Sequence, residues 1–469
     1  MTDLSSHPWF FCGIGGSGML PLALILRGHG AVVAGSDRSR DQGRTPEKFA
    51  WLERLGFTLH PQDGSGIVSA QQTLVASAAV ENTVPEVVRA AELGCTRMTR
   101  AELLAHLFNA APGGIAIGGT SGKSTVTGMT GWIMDCAGRD PTIMNGAVMK
   151  NYVRDDAPFA SARVGSSDVF VSEVDESDGS IALYQPQVAV LLNVSLDHKS
   201  MEDLRGLFGD FLRVCDIGVI NLDDAEAAAL APEYTPWLGY AIGNPGAEIG
   251  VVEGSIVEEP FAIAATVLDR RDASQHALRL SVPGRHNLSN ALAAITTAVA
   301  TGVPVADAVE ALGRYAGLAR RFDVIGTSSG GVTVIDDFGH NPEKCAATLT
   351  TLKANPGRVI AFFQPHGYGP LRQMGAELAE TFARLLGPDD LTILCDPVYF
   401  GGTVDRSEGS ARIVGMIEAA GGKAEYIPAR EDCAIRIAEI AKPGDRVVIM
   451  GARDDTLTLF ARDLLARLP

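Results

Sequence analysis

The sequence predicts an α/β chain of three domains, each built on a mainly parallel sheet. Three observations predict it: short apolar runs alternate with helical ones along the chain, two glycine-rich loops each stand between such a run and a helix, and polar residues gather where the apolar runs end. At 469 residues the chain is too long for one ordinary core, and about 150 residues per domain gives about three. The linker-like APGG follows residue 110 and a new alternating block opens at GLARRFDVIG, so the domains are read as 1–110, 111–320 and 321–469.

The first block runs WFFCGIGG, GMLPLALILRGHG, AVVAGSDRSR, PEKFAWLERLG and TLVASAAV. That βαβα order is Rossmann-like and implies parallel strands. Within it Gly13, Ile14, Gly15, Gly16, Ser17 and Gly18 form a G-x-G-x-x-G loop, and Asp37 ends the next apparent strand. Such glycines let backbone N–H groups approach a pyrophosphate. Taken alone, the loop fits a dinucleotide and leaves open which nucleotide diphosphate is meant. The helical run AELLAHLFN closes the block, and APGG at 111–114 reads as a linker.

The second block opens with IAI at 115–117 and continues as GGTSGKST. A strand, a glycine loop and a helix beginning at Lys123 make a P-loop ATPase-like parallel-sheet domain. Gly119, Thr120, Ser121, Gly122, Lys123, Ser124 and Thr125 are its candidate phosphate contacts. The lysine neutralises β/γ-phosphate charge, Ser124 suits Mg²⁺, and the amides hold the phosphates. The loop is short, with Ile117 where the full eight-residue form has glycine. A magnesium nucleotide also needs acidic or imidazole groups from neighbouring strand ends. SEVDESDGS and NVSLDH supply them, with Glu173, Asp175, Glu176, Asp178, Asp197 and His198. The β-branched, turn-rich stretch 232–283 reads as a strand-rich insertion, and GRHNLSNALAAITTAVATG returns to helix. The third block alternates strands and helices again from GLARRFDVIG to the end, and is the second Rossmann-like domain.

Hydrophobic residues at 46% and charged residues at 20% fit an α/β enzyme. A net charge of −17 argues against nucleic acid, whose binding rests on clustered Lys and Arg. Seven scattered cysteines without a C-x-x-C pair point to a reducing compartment. No basic region precedes the first apolar run, and no stretch reaches the ~20 apolar residues of a membrane helix. A cytoplasmic monomer or homodimer without membrane insertion is expected.

These motifs, in this order, resemble the muramyl ligase family, most closely its alanine-adding branch. The resemblance runs through essentially the whole chain, on FFCGIGGSGM…GSD, GTSGKST, SEVDESDGS, NVSLDH, GRHNLSNALAA, RRFD, DDFGHNP and FQPH. It implies an ATP- and Mg²⁺-dependent ligase of peptidoglycan precursor synthesis that joins L-alanine to UDP-N-acetylmuramate through an acyl phosphate. The first loop and Asp37 would hold the UDP-sugar and the second loop ATP. Lys123, His198, His340 and Arg321 would be catalytic, and Ser124, Glu173 and His198 would serve metal. His286, Asn287 and Asn290 resemble adenine-side contacts, Arg321 a phosphate-side arginine and Asp336 a ribose-binding acid. Other branches carry a carboxylated lysine soon after the strand-end histidine. Here no lysine lies between Lys199 and Lys344.

Departures from the branch pattern are Ser121 after GT, Phe338 and Asn341 in DDFGHNP, and Gly367 in FQPHGY, where an arginine is usual. Arg372 offers a positive charge from a shifted position. These changes fall near the amine, so ligation of a whole tripeptide or another amine stands as the alternative. A dehydrogenase would explain CGIGGSG but leave GTSGKST and SEVDESDGS without a role. A non-catalytic nucleotide module would tolerate the departures but has no use for a metal site.

Overall fold

The computed structural model describes residues 7–78, 80–196, 199–233, 235–399 and 405–469. It contains three sheets. The first has five parallel strands in the order Thr58–His60, Val32–Ser36, Pro8–Cys12, Thr73–Ala76 and Thr96–Thr99. Strand order reverses outward from Pro8–Cys12, and a crevice for ligands forms at that switch point in doubly wound sheets. The alternation of PWFFC sends Trp9 and Phe11 to one core and Phe10 and Cys12 to another.

The helix Arg100–Asn109 starts on a capping box: Glu102 N–H donates to Thr99 Oγ1 (3.1 Å) and Thr99 N–H to Glu102 Oε2 (2.7 Å). The linker expected at 111–114 is shorter than that. The strand already begins at Gly113, whose N–H donates to Asp168 O.

The second sheet is centred on Gly113–Gly118, flanked in parallel by Val169–Glu173 on one side and Val188–Leu191 on the other. Ile217–Asn221, Trp237–Tyr240 and Ile249–Val251 extend it, still parallel, before Ala262–Asp269 turns antiparallel. The stretch 232–283 is therefore the outer half of the central sheet and not an insertion. Trp237–Tyr240 and Ile249–Val251 add to an existing edge, a long-range pairing that local composition does not encode.

The third sheet runs Asp323–Thr327, Thr333–Asp337, Arg446–Gly451, Val359–Gln364, Leu391–Leu394 and Ala424–Tyr426. Only the first of these is antiparallel to its neighbour. Both faces are covered: Ala361 and Phe363 pack under one set of helices, Ile360 and Phe362 under the other. That is why VIAFFQ is a continuous apolar run with no polar alternation.

The chain divides into two compact units. One comprises 1–256, 265–280 and 288–317 with the first two sheets, and the other 257–264, 281–287 and 318–469 with the third. No described helix is long and apolar enough to cross a membrane.

Candidate active site

In the first unit, the strand Pro8–Cys12 delivers the chain into the loop 13–18. Gly13 takes φ +77°, which a side chain rarely adopts, and its N–H donates to Ser36 O (2.8 Å). Ile14 is buried in the core, so only its backbone faces the loop. Asp37 is 7% exposed and uses both oxygens locally: Oδ2 accepts from Gly15 N–H and Oδ1 from Ser39 N–H, each 2.8 Å. It braces the glycine loop. Gly16 and Ser17 are exposed at the tip, and the helix Met19–Gly28 begins behind Gly18 with no side-chain cap. Its first two amides, of Met19 and Leu20, both donate to Gly16 O (3.0 and 2.8 Å), and Pro21 follows with no N–H to give. Below the loop, the buried Lys48 donates to Gly15 O (3.3 Å).

The second loop lies at the end of Gly113–Gly118. Gly119 (φ +136°) and Gly122 (φ +89°) bend it, and the helix Lys123–Cys136 starts at Gly122 with no side-chain cap and no acid in its first turn. Asn193, from the NVSLDH strand end, clamps the loop. Its Oδ1 accepts from Thr120 Oγ1 and Ser121 N–H (both 2.8 Å), and its Nδ2 donates to Ser121 O (3.0 Å). Asn290 Oδ1 lies against Gly122, where a Cβ would come within 2.7 Å of it. Thr125 follows in the first turn of the helix, half-buried.

Lys123 Nζ donates to Gly119 O and Glu176 Oε2, both at 2.6 Å. Ser124 Oγ donates to Glu173 Oε2 at 2.7 Å. Asn145, fully buried, donates to Ser124 O and fixes the serine. Gly146 leaves the space Glu173 occupies, since a Cβ there would run into Oε1. A hydroxyl and a carboxylate facing each other beside the phosphate loop form an all-oxygen donor set, which fits Mg²⁺. Among the described residues no three His, Cys, Asp or Glu side chains gather as a metal cluster. His198 and Asp197 lie outside the described residues.

In the second unit, the order of the third sheet sets the ends of Thr333–Asp337, Arg446–Gly451 and Val359–Gln364 side by side. Asp336 has no exposed surface; Arg320 Nε reaches it at 3.4 Å and Thr458 Oγ1 donates to it at 2.6 Å. Burial pushes its carboxyl up from the ordinary range, against the pull of Arg320. Asp337 accepts from Phe322 N–H, Gly339 N–H and Thr348 Oγ1. Both acids knit the strand end together.

Arg320 and Arg321 hold their guanidinium carbons 5.0 and 4.3 Å from the Phe338 ring centre. His340 packs edge-on against Phe338 and His366. His340 Nδ1 donates to Phe338 O (2.9 Å), which leaves Nε2 with its lone pair. Burial, then the nearby Lys344 charge, lowers His340 to about 3. Burial and the Arg453 charge lower His366 to about 4. Both imidazoles are neutral near pH 7 and accept hydrogen bonds without carrying charge.

His286 is exposed, whereas Asn287 is buried and donates to Pro283 O. Asn341 caps the helix Pro342–Lys353, accepting from Lys344 N–H (2.9 Å). Gly367, at φ +150°, precedes the helix Tyr368–Leu385 and brings no charge. Arg372 is engaged by Asp405 through Oδ2 (2.9 Å) and the carbonyl oxygen (3.1 Å).

The sequence missed Glu176 as the partner of Lys123, Asn193 and Asn145 as loop clamps, and His366 beside His340. Asn193 stands in NVSLDH and His366 in FQPH, so the motifs carried a signal for both. Nothing local marks Glu176 out from Asp175 or Asp178.

Three family models match in order along the chain: "Mur ligase family, catalytic domain" over 10–111, "Mur ligase middle domain" over 117–298 and "Mur ligase, glutamate ligase domain" over 320–453. The UDP-N-acetylmuramate--L-alanine ligase of Pelotomaculum thermopropionicum is 34% identical over 455 residues, covering 95% of this chain and 94% of its own. That of Agrobacterium fabrum is 35% identical over 461 residues, again 95% and 94%. Among solved structures, the UDP-N-acetylmuramate-alanine ligase of Thermotoga maritima superposes with TM-score 0.81 at 23% identity over 98% of both chains. The murein peptide ligase of Psychrobacter arcticus follows with TM-score 0.73 at 24% identity, also over 98% of both. These two share the fold. With end-to-end identity to the curated ligases above 30%, this chain belongs to the Mur ligase family.

Proposed function

We propose that the protein is an ATP- and Mg²⁺-dependent amide ligase that joins L-alanine to UDP-N-acetylmuramate in peptidoglycan precursor synthesis. The observation that carries this reading is the second loop, where Lys123 meets Glu176 at 2.6 Å and Ser124 meets Glu173 at 2.7 Å, in a chain matching named alanine ligases along its length. A reading from domains 1–110, 111–320 and 321–469 assigns the UDP-sugar to the first, ATP to the second and the amine side to the third. A cytoplasmic site of action goes with those substrates.

When bound, Mg-ATP supplies the phosphoryl group that turns an unreactive carboxylate into an acyl phosphate. Lys123 offers a cation to the phosphates, and the uncapped N–H groups of its helix add their dipole. Ser124 and Glu173 would hold the magnesium, together with His198 on the family resemblance. Arg321, set by Phe338, offers its guanidinium to the charge that develops as the acyl group transfers. His340, neutral and with Nε2 open, accepts a hydrogen bond from the attacking amine more readily than it stores a proton. His286, Asn287 and Asn290 are the adenine side on the same resemblance. Asp336 supports the site from inside the sheet end.

One observation favours a second reading. Gly367 carries no charge and Arg372 is held by Asp405, so the amine side lacks the arginine pair usual for a small amino-acid carboxylate. A larger amine such as a tripeptide brings its own anchoring groups. The reading of the second loop is tested by Lys123→Ala, which should cut kcat by at least about a thousand-fold while UDP-N-acetylmuramate binding stays within about two-fold. Turnover near wild type in that variant would reject it.

A further inference from the structure

The strand Arg446–Gly451 runs into a tight turn, Ala452-Arg453-Asp454, at the same sheet end as His340 and His366. Its register sets Met450 opposite Asp337, just before Phe338, and Gly451 opposite Gln364 of FQPH. Arg320 spans the turn, donating to Gly451 O (2.7 Å) and Asp454 O (3.3 Å). Asp454 is buried and accepts from Gln364 Nε2 (3.0 Å) and Arg430 Nη1 (3.2 Å) on one oxygen and from Thr456 Oγ1 (2.6 Å) on the other. Ala452 is buried as well. Of residues 451–454, Arg453 alone is exposed.

Arg453 takes φ +60°. A side chain in that left-handed region is strained where glycine would not be, and strain held by a rigid turn points to a use for the side chain. Among the described residues its guanidinium makes no hydrogen bond or ion pair. Its charge is felt by His366, whose ring packs edge-on against His340 with centroids 5.1 Å apart. A cation on a fixed turn therefore stands by the two imidazoles, where FQPHGY brings none: Gly367 has no side chain, and Arg372 is tied to Asp405. The paired N–H donors of a guanidinium match the two oxygens of a carboxylate.

We propose that Arg453 is a specificity-determining residue of the amine site, where its guanidinium pairs with the free α-carboxylate of the incoming amino acid. This rests on the reading of the protein as an amide ligase whose third domain takes the amine. Only the amino group of that substrate reacts. Its carboxylate stays an anion throughout, and in a chain of net charge −17 the attraction it needs must be local. A tripeptide that attacks through its first residue has that residue's carboxyl already bound in an amide, so the pairing selects single amino acids over peptides.

Steady-state ADP release by the full-length protein tests this, comparing the preferred amino acid, L-alanine on the present reading, with its amide, which lacks only the anion. The wild type should favour L-alanine over L-alaninamide by about ten-fold or more in kcat/KM. Arg453→Gln should raise KM for L-alanine by about ten-fold or more, while KM for ATP and UDP-N-acetylmuramate and all constants for the amide stay within about two-fold. Arg453→Lys should recover part of the loss. Arg453→Gly should lose L-alanine equally yet unfold at the same or a higher urea concentration, since it relieves the left-handed strain; a merely structural arginine would not give that split. An unchanged KM for L-alanine in Arg453→Gln and Arg453→Gly, or equal use of the amide by the wild type, overturns the proposal and leaves the ligase reading standing. Turnover confined to the tripeptide overturns it together with the L-alanine assignment. Wild-type protein that releases no ADP with any amine overturns the ligase reading, and the proposal with it.

Discussion

Arg320 and Arg321 are neighbours in RRFD with opposite duties. Arg320 takes φ +61°, is 9% exposed and spends its donors on Asp336, Gly451 O and Asp454 O. Removing it leaves a buried carboxylate without its cation, so Arg320→Met should cost about 3 kcal/mol or more of stability. Arg321→Met should unfold within about 1 kcal/mol of the wild type but lose most activity. Urea titration beside the ADP assay separates the two. The resemblance selected Arg321 from the sequence, but the left-handed turn that buries its neighbour was not legible there. Asp336 was likewise expected at a ligand, and the fold turns it inward to Arg320 and Thr458. The histidines carry a pH prediction. Their folded values, about 3 for His340 and about 4 for His366, lie below the ordinary 6.5. As pH falls below 6.5 the unfolded chain takes up protons that the native one refuses, so stability drops between pH 6.5 and about 3, the His366 share ending near 4. Denaturant midpoints measured across that window should fall in the wild type and fall less in His366→Gln.

At the scale of elements, both loops depend on glycines that the sequence displayed openly. Gly122 joins φ +89° to a close approach by Asn290. Gly122→Ala should therefore cost about 1–3 kcal/mol and weaken Mg-ADP binding, as measured by calorimetry, because the helix N-terminus shifts with it. An unaltered affinity would show that the loop tolerates the change. Strand ends were also legible, since apolar runs such as VFVSE and VAVLLN stop at their first polar residues. What could not be read was pairing across the chain: Asn193 closing on Ser121 from 72 residues away, or Trp237–Tyr240 joining Ile217–Asn221. The departures FQPHGY and DDFGHNP were visible, but their consequences needed the fold. Asn341 became a helix cap and Arg372 the partner of Asp405.

For the whole molecule, the central claim is a division of labour in which the first glycine loop serves one nucleotide and the second another. The net charge of −17 repels both anions at long range, so attraction must be local. Lys48 and Arg100 flank the first loop and Lys123 anchors the second, which meets that need. The sequence order of motifs conveyed this plan because each loop is contiguous. The strand ends of the third sheet, proposed as the amine side, come from separate parts of the chain and were the least legible part. The most direct measurement is ADP release by the purified protein with ATP, Mg²⁺ and UDP-N-acetylmuramate, comparing L-alanine, other amino acids and the L-Ala-γ-D-Glu-diaminopimelate tripeptide. The account predicts turnover that requires the sugar nucleotide and is fastest with L-alanine; preference for the tripeptide would replace the amine assignment, and no amine-dependent release with any partner would contradict ligase function.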